Sequence, residues 1–202
     1  MKKLIYITLV TLLLAACNRD KNQIILRFDN YVNLSDEEFV ENIKSRVSNS
    51  IGPMKSIDVK GQTVTLSFEN DVTKIGKEAF FGYEALTSIT IPNTVTEIGE
   101  EAFNGCTSLT FITIPSSLTK IGRKAFYDTS LTTITIPNSV TEIWENAFYR
   151  CTFLTSIYIP NSVAEIGEGT FGDCRSLKAA KIPKRFSGRN DIFPEYTNVE
   201  YY

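Results

Sequence analysis

The chain has 202 residues, 43% of them hydrophobic and 22% charged, with a formal net charge of −2 and no histidine. That balance suits a folded protein with a sizeable buried core and excludes wholesale disorder. The missing histidine removes Ser-His-Asp and Cys-His nucleophile arrangements, imidazole zinc sites and the commonest general acid or base near neutral pH. The near-neutral charge lacks the basic face that nucleic acid requires. Carboxylate-only or lysine-based catalysis stays open on composition, but the repeat faces offer no pocket for it; the sequence assigns no catalytic residue, cofactor or metal, and an enzyme is not expected.

In chain order, Lys2 and Lys3 precede an apolar run, Leu4 to Leu14, followed by Ala15, Ala16 and Cys17. A basic start, a short apolar stretch and small residues before a break predict a secretory signal over residues 1–16. The run is far shorter than the roughly 20 residues of a spanning helix. Leu14-Ala15-Ala16-Cys17 resembles the lipobox of bacterial lipoproteins. That resemblance implies cleavage before Cys17, lipidation of its thiol and membrane attachment through the lipid, which is stable when more than one chain is added. Cleavage removes two lysines and no acid, so the mature chain is more acidic by two charges. A tether, 17–22, then separates the lipid from the first strand; five residues span at most roughly 17 Å. Asn18 is not the aspartate associated with inner-membrane retention in some enteric bacteria, so an outer-membrane lipid anchor is expected; Asn18 does not set the leaflet, and the cell surface is the expected side.

Residues 23–63 read as a β-α-β-β cap. Gln23–Phe28 is apolar enough for a strand, and Ser35 to Glu38 reads as a capping box. Phe39, Val40, Ile43, Val47 and Ile51 share one helical face, which Gly52-Pro53 ends. Ile57–Val59 and Val64–Phe68 alternate around Lys60-Gly61 as a hairpin.

From residue 70 the chain repeats. Cut after each Ile-Pro, 70–92, 93–115, 116–137, 138–160 and 161–183 align as five units of 22 or 23 residues. The third lacks one residue in the turn after Phe126. Apolar positions recur as rows: Val72, Val95, Leu118, Val140 and Val163; Ile75, Ile98, Ile121, Ile143 and Ile166; Phe80, Phe103, Phe126, Phe148 and Phe171; Leu86, Leu109, Leu131, Leu154 and Leu177. One unit cannot bury these side chains, whereas stacked units can. Leu-x-x-Ile-x-Ile ends with period two and is rich in β-branched residues, so it predicts one main strand per turn, about 4.8 Å from the next, in a parallel-stranded solenoid.

The I-P-x-x-V-x-x-I-G-x-x-A-F-x-x-C-x-x-L pattern of residues 70–183 resembles the BspA-type leucine-rich repeats of surface proteins from host-associated microbes. The resemblance implies an α+β protein: a leucine-rich-repeat solenoid with a parallel β-ladder over 64–202, behind the small β-α-β-β capping module. Leu66 and Phe68 match an earlier strand. Tyr196-x-x-Val199-x-Tyr201 copies the strand motif after a spacing of 19, which predicts a truncated last turn, seven ladder strands and a chain ending on an edge.

Cys106, Cys151 and Cys174 share one repeat position. An odd number after export reads as a buried ladder, with a Cys151–Cys174 bridge as the alternative. Two further rows carry charge: Lys74, Glu97, Lys120, Glu142, Glu165 and Lys77, Glu100, Arg123, Glu145, Glu168. Opposite signs face each other until Glu meets Glu, and such pairs help fix register. Lys184, Arg185 and Arg189 are expected to neutralise the acidic end. The outward strand positions are mostly Thr and Ser. Phe111 and Tyr158 stand out among them. Unit four is unusual elsewhere, because Trp144 replaces a repeated glycine, Phe153 replaces alanine or serine, and Tyr149 takes a variable position. Exposed aromatics are favoured interface anchors. Phe111, Trp144, Tyr149, Phe153 and Tyr158 are therefore the candidate partner-binding residues.

Three functions remain open. The resemblance implies an adhesion or protein-interaction module for a host or matrix protein. The aromatics alone point to a glycan-binding lipoprotein. The open C-terminal edge fits a structural subunit of an envelope complex.

Overall fold

The structure is a computed structural model and describes residues 21–29, 33–34 and 36–202. The signal segment 1–16, the lipidation site Cys17, Ser35 and most of the 17–22 tether lie outside the described residues. The last two tether residues are strapped to the first turn: Val72 N–H donates to Lys21 O at 2.9 Å, and Phe68 N–H to Asn22 O at 2.9 Å.

The cap holds β1 (Gln23–Phe28), α1 (Glu37–Ser50), β2 (Met54–Lys60) and β3 (Thr63–Phe68). Helix α1 is capped by Asp36, whose carboxylate accepts from Glu38 N–H at 2.9 Å; the Ser35 of the expected capping box lies outside the described residues. Its Ile43 and Val47 are fully buried, with Phe39 and Ile51 packed partly against the core. The helix ends against the solenoid. A Cβ on Gly76 would lie 1.7 Å from Ser50 O, so only glycine lets the helix end sit on the first turn.

The repeats form two parallel ladders. Short strands β4 (Lys74–Ile75), β6 (Glu97–Ile98), β8 (Lys120–Ile121), β9 (Glu142–Ile143) and β11 (Glu165–Ile166) stack in register as one five-stranded sheet. The Leu-x-x-Ile segments give β5 (Leu86–Thr90), β7 (Phe111–Ile112), β10 (Ser156–Tyr158), β12 (Ala179–Ile182) and β13 (Asn198–Tyr201). This main ladder departs from the seven expected strands at two places.

First, β1 lies between β3 and β5 and pairs antiparallel with both. It is β1, with Ile24 and Leu26 fully buried, that covers the first turn, while β3 completes the cap's hairpin. The boundary expected between 63 and 64 therefore falls inside β3. Second, unit three contributes no main strand, and the ladder divides into β5–β7 and β10–β12–β13. The missing residue after Phe126 shortens this unit, and Thr132 N–H reaches Thr110 O only at 3.5 Å.

Between the ladders runs a stack of phenylalanines. Phe80, Phe103, Phe126, Phe148, Phe171 and Phe193 follow one another with ring centroids 5.2–5.4 Å apart and interplanar angles of 10° or less. The first five are fully buried. Phe193 and buried Phe186 extend the phenylalanine and valine rows into a sixth turn. There β13 pairs in parallel with β12, Val199 opposite Ala180 and Tyr201 opposite Ile182, as the Tyr196-x-x-Val199-x-Tyr201 motif predicts. The second ladder stops at β11, because Arg189 stands where an isoleucine would continue the row.

Corners between the ladders need left-handed backbone. Glu78, Glu101, Lys124 and Asn146 occupy one repeat position at φ of 53–56°, where Gly169 follows at 64°.

Candidate partner-binding face

The cysteines are structural. Cys106, Cys151 and Cys174 are free and fully buried. Their thiols donate to Phe80 O, Phe126 O and Phe148 O of the preceding turn at 3.1, 3.2 and 3.1 Å. In unit three Thr129 holds this position and donates instead within its own turn, to Phe126 O at 3.1 Å. Burial pushes the Cys106 thiol up to about 12. Contact with the Cys151 thiol, added to burial, raises Cys174 as well. Held in the protonated form, Cys106 and Cys174 are poor nucleophiles.

The charge rows pair across turns as expected. Lys74 meets Glu97 at 2.8 Å and Lys77 meets Glu100 at 3.2 Å; Arg123 also bonds Glu100 from the other side. Two cations hold the Glu100 carboxyl below its usual value, mainly through the Arg123 hydrogen bond. Beyond that, Glu142 faces Glu165. The expected neutralisation of this end is only partial. Arg185 donates instead to Asn161 O and Val163 O, because the backbone carbonyls lie within its reach. Arg189 bonds Asp191, with Glu168 contributing at longer range. Among the described residues no group of three or more Cys, Asp or Glu is arranged to hold a metal ion, and no helix is long and apolar enough to cross a membrane.

The five candidate aromatics do not form one patch. Phe111 and Tyr158 stand on outward positions of the main ladder, 54% and 49% exposed, and Phe153 precedes the same ladder at 57%. Trp144 follows β9 on the other sheet. Its indole lies over Lys120, whose Nζ is 3.7 Å from the ring centroid, and its Nε1–H donates to Glu142 at 3.0 Å. Tyr149 sits in the turn between the ladders and is half-buried. It stacks on Tyr127 at 5.3 Å and covers Gly172, where a Cβ would meet its ring at 2.7 Å. Tyr149 thus seals neighbouring turns, and Trp144 is partly engaged. Phe111, Phe153 and Tyr158 are the most exposed of the five.

Trp144 is also costly to place. At the same repeat position a Cβ on Gly99, Gly122 or Gly167 would approach the preceding turn's backbone to 2.9, 2.7 or 2.2 Å. The inter-turn bond lengthens to accommodate the indole: Trp144 N–H reaches Ile121 O at 3.0 Å, against 2.7–2.8 Å for the three glycines.

On the outer side of the main ladder a groove of about 350 Å³ opens where the ladder has divided. Thr133, Ser156, Ala179 and Asn198 line it, with Tyr158, Lys181 and Glu200 alongside. Lys181 and Glu200 form an ion pair at 2.9 Å, which raises the lysine's pKa. Tyr158 stacks on Tyr202 with centroids 5.5 Å apart, and their hydroxyls meet at 2.8 Å. Of the groove, the sequence pointed only to Tyr158. The other residues are ordinary outward strand residues, and only the β12–β13 pairing reveals that Asn198 and Glu200 continue their rows.

Parallel ladders, a buried aromatic spine and an exposed hydroxyl-rich sheet define a leucine-rich-repeat solenoid, a fold that serves as an extended interaction scaffold. The chain belongs to the BspA-type leucine-rich repeat family, whose profile matches residues 73–199 in six copies. No curated protein sequence matches it. Among solved structures it is similar to a T. pallidum leucine-rich repeat protein, 37% identical with a TM-score of 0.55 over 56% of this chain and 53% of the other. A Bacteroides ovatus leucine-rich repeat protein is 30% identical, TM-score 0.55, over 65% and 40%. A leucine-rich cell surface protein of Faecalibacterium prausnitzii is 43% identical, TM-score 0.51, over 54% and 29%. The chain spans about half the length of the T. pallidum protein and less of the other two.

Proposed function

We propose that this protein is a non-catalytic, lipid-anchored surface module that binds a host or matrix protein through the outer side of its main ladder. The carrying observation is the pair Phe111 and Phe153, more than half exposed beside a sheet otherwise presenting mainly Thr and Ser. Large apolar side chains held out of the core gain by entering a partner's pocket, and a few such anchors dominate binding energy. The F. prausnitzii structure is of a cell surface protein, which supports the same address here. The lipobox-like Leu14–Cys17 supplies the attachment. Placement in the outer membrane, facing outward, follows from Asn18 and from the surface role.

Two experiments test this reading. Intact cells treated with protease should lose the folded body, and Cys17→Ala should abolish incorporation of labelled palmitate; protection from protease, or lipidation without Cys17, would overturn the address. The full chain should bind at least one of a panel of immobilised matrix proteins, with Phe111→Ser/Phe153→Ser at least tenfold weaker and equally stable. Equal binding by the double variant would overturn the face.

A further inference from the structure

The groove beside Tyr158 combines small polar side chains, an ion pair and one aromatic face. Its floor mixes polar and apolar groups: Thr133 and Ser156 offer hydroxyls and Asn198 an amide, among Ile134, Ile157 and Ala180. Its charged members already neutralise each other, Lys181 against Glu200 at 2.9 Å, so they present hydrogen-bonding groups without a net field. One flat aromatic surface borders it, because Tyr158 is stabilised by its stack on Tyr202 and remains 49% exposed.

The main chain adds to this. Residues 133–136 form no strand, and none of their N–H groups has a backbone partner among the described residues. Polar backbone left open beside a ladder is available to a ligand rich in both donors and acceptors. A volume of about 350 Å³ is at the small end for ligand sites.

We propose that this groove is a carbohydrate-binding subsite, in which a pyranose ring lies on the Tyr158 face and its hydroxyls bond Ser156, Asn198, Lys181 and Glu200. A sugar ring offers a C–H face to an aromatic and a rim of hydroxyls to paired donors and acceptors. An apolar peptide anchor would leave the floor hydroxyls and the ion pair unmatched, at a desolvation cost. The site is independent of the Phe111 and Phe153 anchors, so either can fail alone.

The test uses the full chain on an array of defined host, plant and bacterial oligosaccharides, followed by calorimetric titration of the strongest hit as a free tetrasaccharide. Saturable binding is expected, weakened about tenfold by Tyr158→Ala, as loss of one stacked ring predicts. It should be abolished by Ser156→Trp, which fills the floor without touching a core residue. Trp144→Gly, on the other sheet, should leave it unchanged. Matching melting temperatures establish that the variants remain folded. No array binding, or binding that survives both Tyr158→Ala and Ser156→Trp, overturns the proposal. So does a groove that takes only peptides, shown by peptide binding lost with Ser156→Trp. Loss of matrix-protein binding in Phe111→Ser/Phe153→Ser with sugar binding intact would separate this site from the protein-binding face.

Discussion

Phe126 is where the solenoid is most exposed to a single change. Its ring is fully buried and stacks on Phe103 at 5.3 Å and Phe148 at 5.2 Å. Unit three, which carries it, has no main strand, so the two halves of the repeat array are joined there by the second ladder, the turn backbone bonds from Lys124, Phe126 and Asp128 to the next unit, and the aromatic spine. Replacing Phe126 by alanine costs about 4 kcal/mol in transfer and cavity terms. That total already includes the two lost stacking contacts, each worth about 1 kcal/mol. About 4 kcal/mol is a large share of a domain's typical 5–15 kcal/mol. In a repeat protein, a weakened interface also uncouples its neighbours. The assay is urea unfolding followed by far-UV circular dichroism and by the fluorescence of Trp144, the single tryptophan, in unit four. The unaltered chain should give coincident transitions. In Phe126→Ala the tryptophan signal and the dichroism should separate, because units four to six no longer unfold with the cap. A loss below about 2 kcal/mol together with coincident transitions would refute the idea of a seam at unit three, since a fully buried ring should cost more than that.

Four further outcomes follow from the same geometry. Lys124→Gly, at a corner with φ of 53°, should stabilise the fold by about 1 kcal/mol, because glycine adopts this backbone without the clash of a Cβ; a fall in the urea midpoint would contradict it. Trp144→Gly should keep or raise the melting temperature, since it restores the glycine row and removes only exposed contacts, the ring on Lys120 and the bond to Glu142. The carboxyl of Glu100 is lowered by Arg123 and Lys77, so its contribution is present above the ordinary glutamate pKa and is lost as pH falls through the lowered folded value; Glu100→Gln should show a smaller loss of stability over that acid range than the unaltered chain. Native Cys106, Cys151 and Cys174 should resist a thiol reagent at pH 8 and all react once the chain is unfolded; rapid modification of the folded protein would show that the thiol row opens.

Much of the fold was legible because a repeat turns single residues into rows. The Phe row and the Ile row each predicted a contact that recurs from turn to turn, the thiol position predicted one at three turns, and the Tyr196–Tyr201 copy gave the register of β13. What escaped has physical causes. The insertion of β1 next to β5 is a long-range antiparallel pairing, and no periodicity within Gln23–Phe28 encodes its partner. Strands of two residues, such as β4 and β6, are too short to show alternation. Phe193 was missed because the sixth turn is shortened on both sides of it and lacks the small residue that precedes the other phenylalanines. The site was legible only as a set of exceptions. Trp144, Tyr149 and Tyr158 were visible as departures from the repeat, but their division among two sheets and a turn depends on where each position falls around the coil. The groove lies over β10, β12 and β13, and only the β12–β13 pairing brings Asn198 and Glu200 beside Tyr158 and Lys181.

The claim that the main-ladder side meets a protein partner is tested most directly by site-specific photocross-linking. A photoreactive residue is placed in the full chain at position 153, beside the main ladder, or at position 97, on the second ladder, and exposed to the matrix protein that binds best. The account predicts cross-links from position 153 and none from position 97, in variants of equal stability. Cross-links from position 97 alone would contradict it.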